Sequence, residues 1–323
     1  MLYLEDYTYN RGKRVYDASG KVAEVFVEDA WKRMLAVQAE KGVMSFVISH
    51  EVFPEEFYRG LKRNTLLVRM GVGYDAVPIG LCKELGILVA NTPGTLNQSV
   101  AEHAIGMLLG FVRRTVEHDL SMKQGLWKPL SGQEIAGKTL AVIGFGSIGR
   151  QIARIAKFGF GMRIVAFDKY EQAVTSHPDL YDVYTDNLKQ AFGQADFVSV
   201  NLNLSSETNK IINAEVLGAA KKEVVLINTS RGGVLDEGAL HDALSSGVIA
   251  GACLDVFTVE PYVPLAGKDL RTLGNVLLAP HVASNTMEAN DNMARSTLES
   301  IRLYEEGDLS RIPIVPELRS LVG

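Results

Sequence analysis

The chain has 323 residues, 47% of them hydrophobic, and its 33 basic and 38 acidic residues leave a net charge of −5. This balance excludes a disordered chain, and two cysteines exclude a disulfide-built scaffold or a cysteine-rich zinc module. No basic run offers a footprint for nucleic acid, and the longest apolar stretch, 104–112, is too short to span a membrane. The N-terminal residues lack the layout of a secretory or transit signal, so we expect a cytoplasmic protein of about two domains.

Short apolar runs alternate with helical patterns along the chain. Strands are predicted at 44–49, 65–68, 87–90, 139–143, 163–167, 197–200, 224–227 and 276–278. Helices are predicted at 54–62, 99–123, 148–158, 236–246 and 287–307. This alternation indicates an α/β protein with two doubly wound parallel-sheet domains. The final helix follows the second block, which predicts a discontinuous first domain of 1–105 and 290–323 around an inserted domain of 106–289.

A glycine-rich loop follows the predicted strand 139–143. In Gly144-Phe-Gly146-Ser-Ile-Gly149, the first glycine allows a tight turn, the second lets the backbone approach a pyrophosphate, and the third allows close helix packing. The helix N-terminus then directs N–H groups at the phosphates. Asp168 lies 19 residues after Gly149, at the end of the next strand, where a carboxylate accepts hydrogen bonds from a ribose. The pattern predicts a dinucleotide site that prefers NAD over NADP, although Lys169 weakens that preference.

Polar side chains cluster after three strands of the second block. Arg231, Asp255, Glu260 and His281 all follow such strands. Because ligands bind beyond the carboxyl ends of parallel strands, we expect these side chains to converge on the cofactor site. A histidine can exchange a proton near neutral pH, a neighbouring carboxylate can orient it, and an arginine can bind a carboxylate substrate.

The chain resembles the NAD-dependent D-isomer-specific 2-hydroxyacid dehydrogenases from about residue 44 onward. The motifs that carry the resemblance are Gly71-Val-Gly73-Tyr-Asp75, Asn91-Thr-Pro93, Ser99-Val-Ala-Glu102-His, the Gly144 loop with Asp168, Arg231-Gly-Gly, Asp255 through Glu260-Pro261, and Pro280-His281. It implies a Rossmann cofactor domain inserted into a flavodoxin-like catalytic domain. It also implies a homodimer paired through the cofactor domain and the long helix near 100–123.

The resemblance implies a role for each polar residue. His281 would exchange the hydroxyl proton, Glu260 would hydrogen-bond that histidine and raise its pKa, and Arg231 would bind the substrate carboxylate and the reacting oxygen. The further contacts that it implies are Val72 and Gly73 to the substrate carboxylate, Ser147 and Ile148 to the pyrophosphate, Thr229 near the nicotinamide ribose, Asp255 to the nicotinamide carboxamide, and Thr92 to the cofactor.

Some segments depart from the family pattern. Asn201 and Asn203 stand where many members have a histidine and a proline, and the first 43 residues do not follow the usual short first strand and turn. His50, after the strand 44–49, has two open interpretations: it faces the substrate, or it caps the strand end. No arginine stands near His50, which argues against a phosphorylated substrate.

These observations predict an NAD-dependent oxidoreductase that interconverts a D-2-hydroxy acid and a 2-oxo acid. Its partner would be a small molecule, not nucleic acid or a membrane. Two alternatives stay open: oxidation of another small anion such as phosphite, and an NAD(H)-sensing protein like the corepressors of this family. Formate is disfavoured because formate enzymes carry an amide where this chain has Glu260.

Overall fold

The computed structural model describes residues 1–322 as two compact units. Of the described residues, the first unit comprises 1–96 and 285–322, and the second comprises 97–284. The predicted domain boundaries, 105/106 and 289/290, differ from these divisions because each falls inside a helix. A helix is held together by its own backbone hydrogen bonds and stays with one unit as a whole.

The regular elements alternate between strand and helix. The strands are β1 (Leu2–Glu5), β2 (Val22–Phe26), β3 (Ser45–Ile48), β4 (Leu66–Arg69), β5 (Leu88–Ala90), β6 (Thr139–Ile143), β7 (Arg163–Phe167), β8 (Val183–Thr185), β9 (Phe197–Val200), β10 (Val225–Asn228), β11 (Gly251–Leu254) and β12 (Val276–Leu278). The helices are α1 (Asp6–Ser19), α2 (Ala30–Lys41), α3 (Glu55–Gly60), α4 (Ile79–Leu85), α5 (Asn97–Val112), α6 (Thr115–Lys123), α7 (Ser147–Arg154), α8 (Glu171–Thr175), α9 (Leu188–Gln194), α10 (Ala214–Gly218), α11 (Glu237–Ser245) and α12 (Met287–Glu305).

Each unit is built on one parallel sheet. The first unit has the order β2-β1-β3-β4-β5, which is the flavodoxin-like order. The second has the order β12-β11-β10-β9-β6-β7-β8, in which a Rossmann core of strands is extended by a seventh strand. All pairs between these strands are parallel. The predicted fold class, two doubly wound parallel sheets, is confirmed.

The predicted single helix at 99–123 is wrong. The chain forms α5 and α6 instead, and Arg114 between them has φ 54°, in the left-handed region that interrupts a helix. Apolar residues continue through both segments, so the sequence pattern shows no break. Helix α5 buries residues against the sheet of the second unit, whereas α6 buries none.

The N-terminal prediction is wrong about the strand, since a first strand is present, although no turn follows it. Strand β1 runs directly into α1 without a glycine or proline to mark the change. Tyr16 of α1 is fully buried and bonds to Thr297 of α12, with 2.8 Å between the two oxygens. Helix α1 is therefore part of the first unit's core. None of the helices within residues 1–322 combines the length and apolar character needed to cross a membrane.

A buried carboxyl group at the end of β1 makes the stability of the protein depend on pH. The Ser49 N–H donates to both oxygens of Glu5 at 3.1 Å, but burial dominates and raises the Glu5 pKa to about 7. The folded state then holds this proton more tightly than the unfolded state does. The stabilisation is complete below the ordinary value of 4.5 and is lost as the pH rises to about 7.

We therefore expect the free energy of unfolding to fall by up to about 3 kcal/mol between pH 4.5 and pH 8 from this group alone. Glu5→Gln should remove that part of the pH dependence, because the amide has no proton to lose. Urea unfolding of both proteins across this range measures the difference. If the free energy of unfolding depended on pH in the same way in the native protein and in Glu5→Gln, the role given to Glu5 would be contradicted.

Candidate active site

The candidate site residues of the second unit follow the carboxyl ends of its strands. The glycine loop follows β6, Asp168 follows β7, Thr229 and Arg231 follow β10, Asp255 follows β11, and His281 follows β12. In a parallel sheet these ends meet at one edge, which is where ligands bind in doubly wound folds. The strand order reverses between β9 and β6, next to the glycine loop.

The three glycines of the loop have different physical requirements. Gly144 has φ 92°, which side chains rarely adopt, and a Cβ on Gly149 would lie 2.1 Å from the Gly144 carbonyl oxygen. A Cβ on Gly146, by contrast, would meet nothing within 4 Å. Gly144 and Gly149 are thus needed by the fold, whereas Gly146 leaves open space above the start of α7, as a close-lying ligand requires. Ser147 and Ile148 are the first two residues of that helix.

This difference predicts opposite effects for two equivalent substitutions. Gly149→Ala should destabilise the protein by about 1–3 kcal/mol or more, because the clash is with backbone. Gly146→Ala should leave the unfolding midpoint unchanged and weaken dinucleotide binding at least about tenfold, equal to about 1.4 kcal/mol. Thermal unfolding and NADH fluorescence titration measure the two effects. Equal loss of stability in both variants would contradict the interpretation.

Asp168 is held in place by two backbone groups. Its Oδ2 accepts a hydrogen bond from the Phe145 N–H at 2.9 Å, and its Oδ1 accepts one from the Tyr170 N–H at 3.0 Å. The carboxylate therefore joins the glycine loop to the end of β7. The neighbouring Lys169 forms an ion pair with Glu207, so its charge is already matched by a carboxylate.

The residues present fit a bound dinucleotide. Thr229 is only 9% exposed, and its buried hydroxyl has no hydrogen-bond partner among residues 1–322. A buried hydroxyl without a partner is unusual and indicates an acceptor or donor from a ligand. Together with the open space at Gly146, it fits a ligand bound at this edge of the sheet, where the family resemblance implies a ribose beside Thr229.

His281 and Glu260 form the central pair of the site. His281 Nδ1 lies 2.6 Å from Glu260 Oε2, and Glu260 Oε1 accepts the Phe257 N–H at 2.9 Å. Burial would raise the Glu260 pKa, but these two hydrogen bonds and the charges of His281 and Arg231 outweigh it and lower the pKa. Glu260 therefore stays ionised at neutral pH and can stabilise a positive charge on His281. About a third of each side chain is exposed, which leaves the imidazole accessible.

Arg231 is presented by a tight loop after β10. The Asn228 side chain donates to the Arg231 carbonyl oxygen at 3.0 Å, and Asn228 Oδ1 accepts both the N–H and the hydroxyl of Ser230. The Arg231 guanidinium donates to the Ser230 carbonyl oxygen at 2.8 Å. Its charge contributes to the lowered Glu260 pKa, which places Arg231 in the same electrostatic environment as the His281–Glu260 pair.

Asp255 supports the turn that carries His281. It is fully buried, and its two oxygens accept the N–H groups of Val282 at 2.8 Å and Ala283 at 2.9 Å. Its carbonyl oxygen accepts the His281 N–H at 2.8 Å. Asp255 is therefore bonded to three consecutive residues of this turn.

Four predicted site residues belong to the first unit. Val72 and Gly73 lie in the loop after β4, where the Asn91 side chain donates to the Val72 carbonyl oxygen at 2.7 Å. Thr92 is buried, and its N–H donates to the Gly71 carbonyl oxygen at 3.0 Å. His50 packs edge-to-face on Tyr7, with ring centroids 4.9 Å apart. The predicted residues thus fall into two sets, one in each unit.

Sequence reasoning gave no role to Asn91 or His103, although both stand in quoted motifs. Asn91 shapes the loop of Val72, and His103 Nε2 lies 3.4 Å from Asp255 Oδ1. An asparagine beside Thr92-Pro93 and a histidine on an apolar helix were the available signals. Neither signal names its partner, because each contact joins segments far apart in the sequence.

The chain is similar to several known proteins. The family model described as "D-isomer specific 2-hydroxyacid dehydrogenase, NAD binding domain" matches residues 105–283. A glyoxylate reductase of Korarchaeum cryptofilum is 34% identical over 302 residues, covering 90% of each chain. A hydroxypyruvate reductase of Thermotoga maritima is 39% identical over 242 residues, covering 74% of this chain and 77% of the relative.

Two solved structures show the same fold with different cofactors. An NADPH-dependent glyoxylate/hydroxypyruvate reductase of Sinorhizobium meliloti, in complex with NADP and malonate, has a TM-score of 0.82 and 31% identity, covering 95% of this chain and 94% of that one. A D-lactate dehydrogenase of Aquifex aeolicus, with NAD and lactic acid, has a TM-score of 0.82 and 26% identity, covering 100% and 99%.

The Rossmann sheet and its glycine loop define an NAD(P)-binding domain of an oxidoreductase. The chain belongs to the D-isomer specific 2-hydroxyacid dehydrogenase family.

Proposed function

We propose that this protein interconverts a D-2-hydroxy acid and the corresponding 2-oxo acid with NAD(H), and that His281 is the acid/base. The observation that carries the proposal is the 2.6 Å contact of His281 Nδ1 with an ionised Glu260 at the carboxyl end of a Rossmann sheet. A histidine oriented by a carboxylate is suited to moving a proton to or from a reacting oxygen near neutral pH.

The chain's own residues supply binding and proton transfer. Because Glu260 occupies Nδ1 of His281, the other ring nitrogen is the one available to the substrate oxygen. That nitrogen would protonate the developing alkoxide in reduction and accept the hydroxyl proton in oxidation, while Glu260 stabilises the imidazolium. Arg231 would bind the substrate carboxylate through its guanidinium. When bound, the nicotinamide cofactor supplies or accepts the hydride.

We propose small 2-oxo acids, glyoxylate and hydroxypyruvate, as the substrates. The support is that two relatives at 34% and 39% identity are named for these activities. Val72, Gly73 and His50 are the proposed substrate contacts of the first unit. The proposed cofactor contacts are Gly144, Gly146, Ser147, Ile148, Gly149, Asp168, Thr229, Asp255 and Thr92. The homodimer and the cytoplasmic location stay predictions from the family resemblance and the sequence.

The test is a substrate panel with purified protein. We expect NADH oxidation with glyoxylate and hydroxypyruvate, and weaker turnover with pyruvate and longer 2-oxo acids. Phosphite and formate are included with NAD⁺ as alternative donors. Tight NADH binding without turnover of any 2-oxo acid would contradict the proposal, and turnover of phosphite alone would favour the other reaction.

Asp168 is the proposed determinant of cofactor choice. Its carboxylate, fixed by the N–H groups of Phe145 and Tyr170, would accept ribose hydroxyls and repel a 2′-phosphate. We expect the native enzyme to prefer NADH, and Asp168→Asn to raise the relative kcat/KM for NADPH about tenfold or more. Lys169→Met is the matched control for the neighbouring charge. An unchanged NADH/NADPH ratio in Asp168→Asn would contradict the role.

A further inference from the structure

We propose that His103 is a positioning residue that pairs with the Asp255 carboxylate and thereby holds the turn that presents His281. Its effect on activity rests on the proposed function, whereas its effect on the turn does not. The proposal concerns second-unit residues only, and it gives a physical role to a histidine that the reaction itself does not use.

The turn of His281 needs external support. His281 has φ 53°, a left-handed conformation that is uncommon for residues other than glycine and costs about 1–3 kcal/mol. Such a conformation persists only where surrounding contacts hold it. Here the contacts come from Asp255, which accepts the N–H groups of His281, Val282 and Ala283. The Asp255 carbonyl holds His281 itself, and the Asp255 carboxylate holds the two residues that follow it, so both help to fix the turn that presents the imidazole.

Asp255 is a completely buried carboxylate whose side chain accepts two backbone N–H groups, those of Val282 and Ala283. A buried carboxylate is costly unless further donors satisfy its oxygens. His103 Nε2 lies 3.4 Å from Asp255 Oδ1, on the oxygen that also accepts the Val282 N–H. This nitrogen is itself buried, and none of its contacts within residues 1–322, this one included, has the geometry of a hydrogen bond. An imidazole nitrogen without a partner and a buried carboxylate oxygen thus lie side by side, and each can satisfy the other.

The spacing of residues along helix α5 matches their spacing along strand β11, and this explains why His103 lies beside Asp255. His103, Met107 and Phe111 are spaced by four residues, so they lie on one face of α5 and advance about 6 Å per step. Residues 255, 253 and 251 are spaced by two along the strand and its end, which advances about 6.6 Å per step.

Two of these three pairs, Met107 with Cys253 and Phe111 with Gly251, are in direct contact. The Cys253 thiol donates to the Met107 carbonyl oxygen at 3.6 Å, and a Cβ on Gly251 would lie 2.2 Å from the Phe111 ring. Gly251 therefore allows α5 to approach β11 closely at Phe111. The Cys253 thiol contact then aligns Met107 with the strand two residues further along. One further helical turn towards the start of α5 brings His103 next to Asp255. The contact follows from the packing of two rigid elements and not from a flexible surface side chain.

The test compares two replacements of His103. His103→Leu fills the space but has no donor, whereas His103→Gln keeps an N–H donor at a similar reach. Glu102→Gln is the control on the same helix, since Glu102 is exposed and bonds only to Gln98 nearby. All four proteins are examined as the full chain, by hydrogen–deuterium exchange of the segment 279–286 and by steady-state kinetics with NADH and glyoxylate.

We expect His103→Leu to increase amide exchange at Val282 and Ala283 about tenfold and to lower kcat about tenfold, with a smaller change in KM for glyoxylate. His103→Gln should restore both quantities to within about threefold, and Glu102→Gln should match the native protein. A purely structural role would lower stability without changing kcat, and Gln would then not rescue it.

Amide exchange tests the role of His103 in the turn, and the kinetics test the proposed reaction, so the two proposals can fail separately. Native exchange of the 279–286 segment in a folded His103→Leu protein would overturn the inference, whatever the activity. Increased exchange that Gln fails to rescue would also overturn it, because the donor would not be the relevant feature. Increased exchange that Gln rescues, in a protein without 2-oxo acid reductase activity, would support the positioning of the turn and contradict the proposed function instead.

Discussion

Replacing His281 with Asn or Ala should lower kcat at least about 100-fold, the usual scale for loss of an acid/base group. Histidine is the side chain suited to proton exchange near neutral pH, the His281 side chain is accessible, and its partner Glu260 is held ionised. Asn is the more informative replacement because it tolerates the left-handed backbone at this position. NADH oxidation with saturating glyoxylate measures the effect.

NADH binding by these variants should stay within a few-fold of native, which would show that the protein is folded. His241→Asn is a matched control in the same unit, because the polar contacts of this histidine are with Ser245 and Asp242 of its own helix α11. A kcat within threefold of native in His281→Asn would remove His281 from its proposed role. The same loss in His241→Asn would show that the effect is not specific to the site.

Gly232→Ala should destabilise the protein severely, by about 3 kcal/mol or more, or prevent its folding. A Cβ at this position would lie 1.9 Å from the Phe257 carbonyl carbon and 2.3 Å from the Thr258 nitrogen. Both are backbone atoms of the loop that leads to Glu260, so the loop itself would have to move. Activity should fall with stability, because Arg231 and Glu260 depend on the contact of these two loops. Urea unfolding and the yield of soluble protein measure the effect.

Gly233→Ala provides the comparison within the same motif. A Cβ there would meet only side-chain atoms of Leu204, at 3.0 Å or more, and a leucine can rotate away. We expect a loss of at most about 1 kcal/mol for this variant. Equal stability of the Gly232→Ala and Gly233→Ala proteins would contradict the idea that backbone contact at Gly232 explains the glycine after Arg231.

The sequence predicts part of the Rossmann sheet, because β6, β7, β9 and β10 are almost fully buried and appear as continuous apolar runs, but it does not predict β8 and β11. Continuous apolar runs predict strands at 139–143, 163–167, 197–200 and 276–278, and these bounds coincide with β6, β7, β9 and β12. The glycine loop can be interpreted for a similar reason, since backbone geometry restricts Gly144 and Gly149 directly. The structure also brings His281 and Glu260 together, 21 residues apart in the chain.

The features that sequence reasoning missed depend on contacts between distant segments. Strand β1 has four residues and passes straight into α1, so no turn residue marks its end. The break at Arg114 falls within a stretch whose apolar residues continue on both sides. The contact of His103 with Asp255 requires the register of α5 on β11, and no local pattern predicts how a helix aligns with a strand 150 residues away.

Oxidation of the two isomers of glycerate with NAD⁺ tests the proposed reaction and its stereochemistry together. We expect D-glycerate to be oxidised to hydroxypyruvate, L-glycerate not to be oxidised, and His281→Asn to abolish the reaction. Turnover of L-glycerate at a similar rate, or turnover of D-glycerate that survives the loss of His281, would contradict the proposed function.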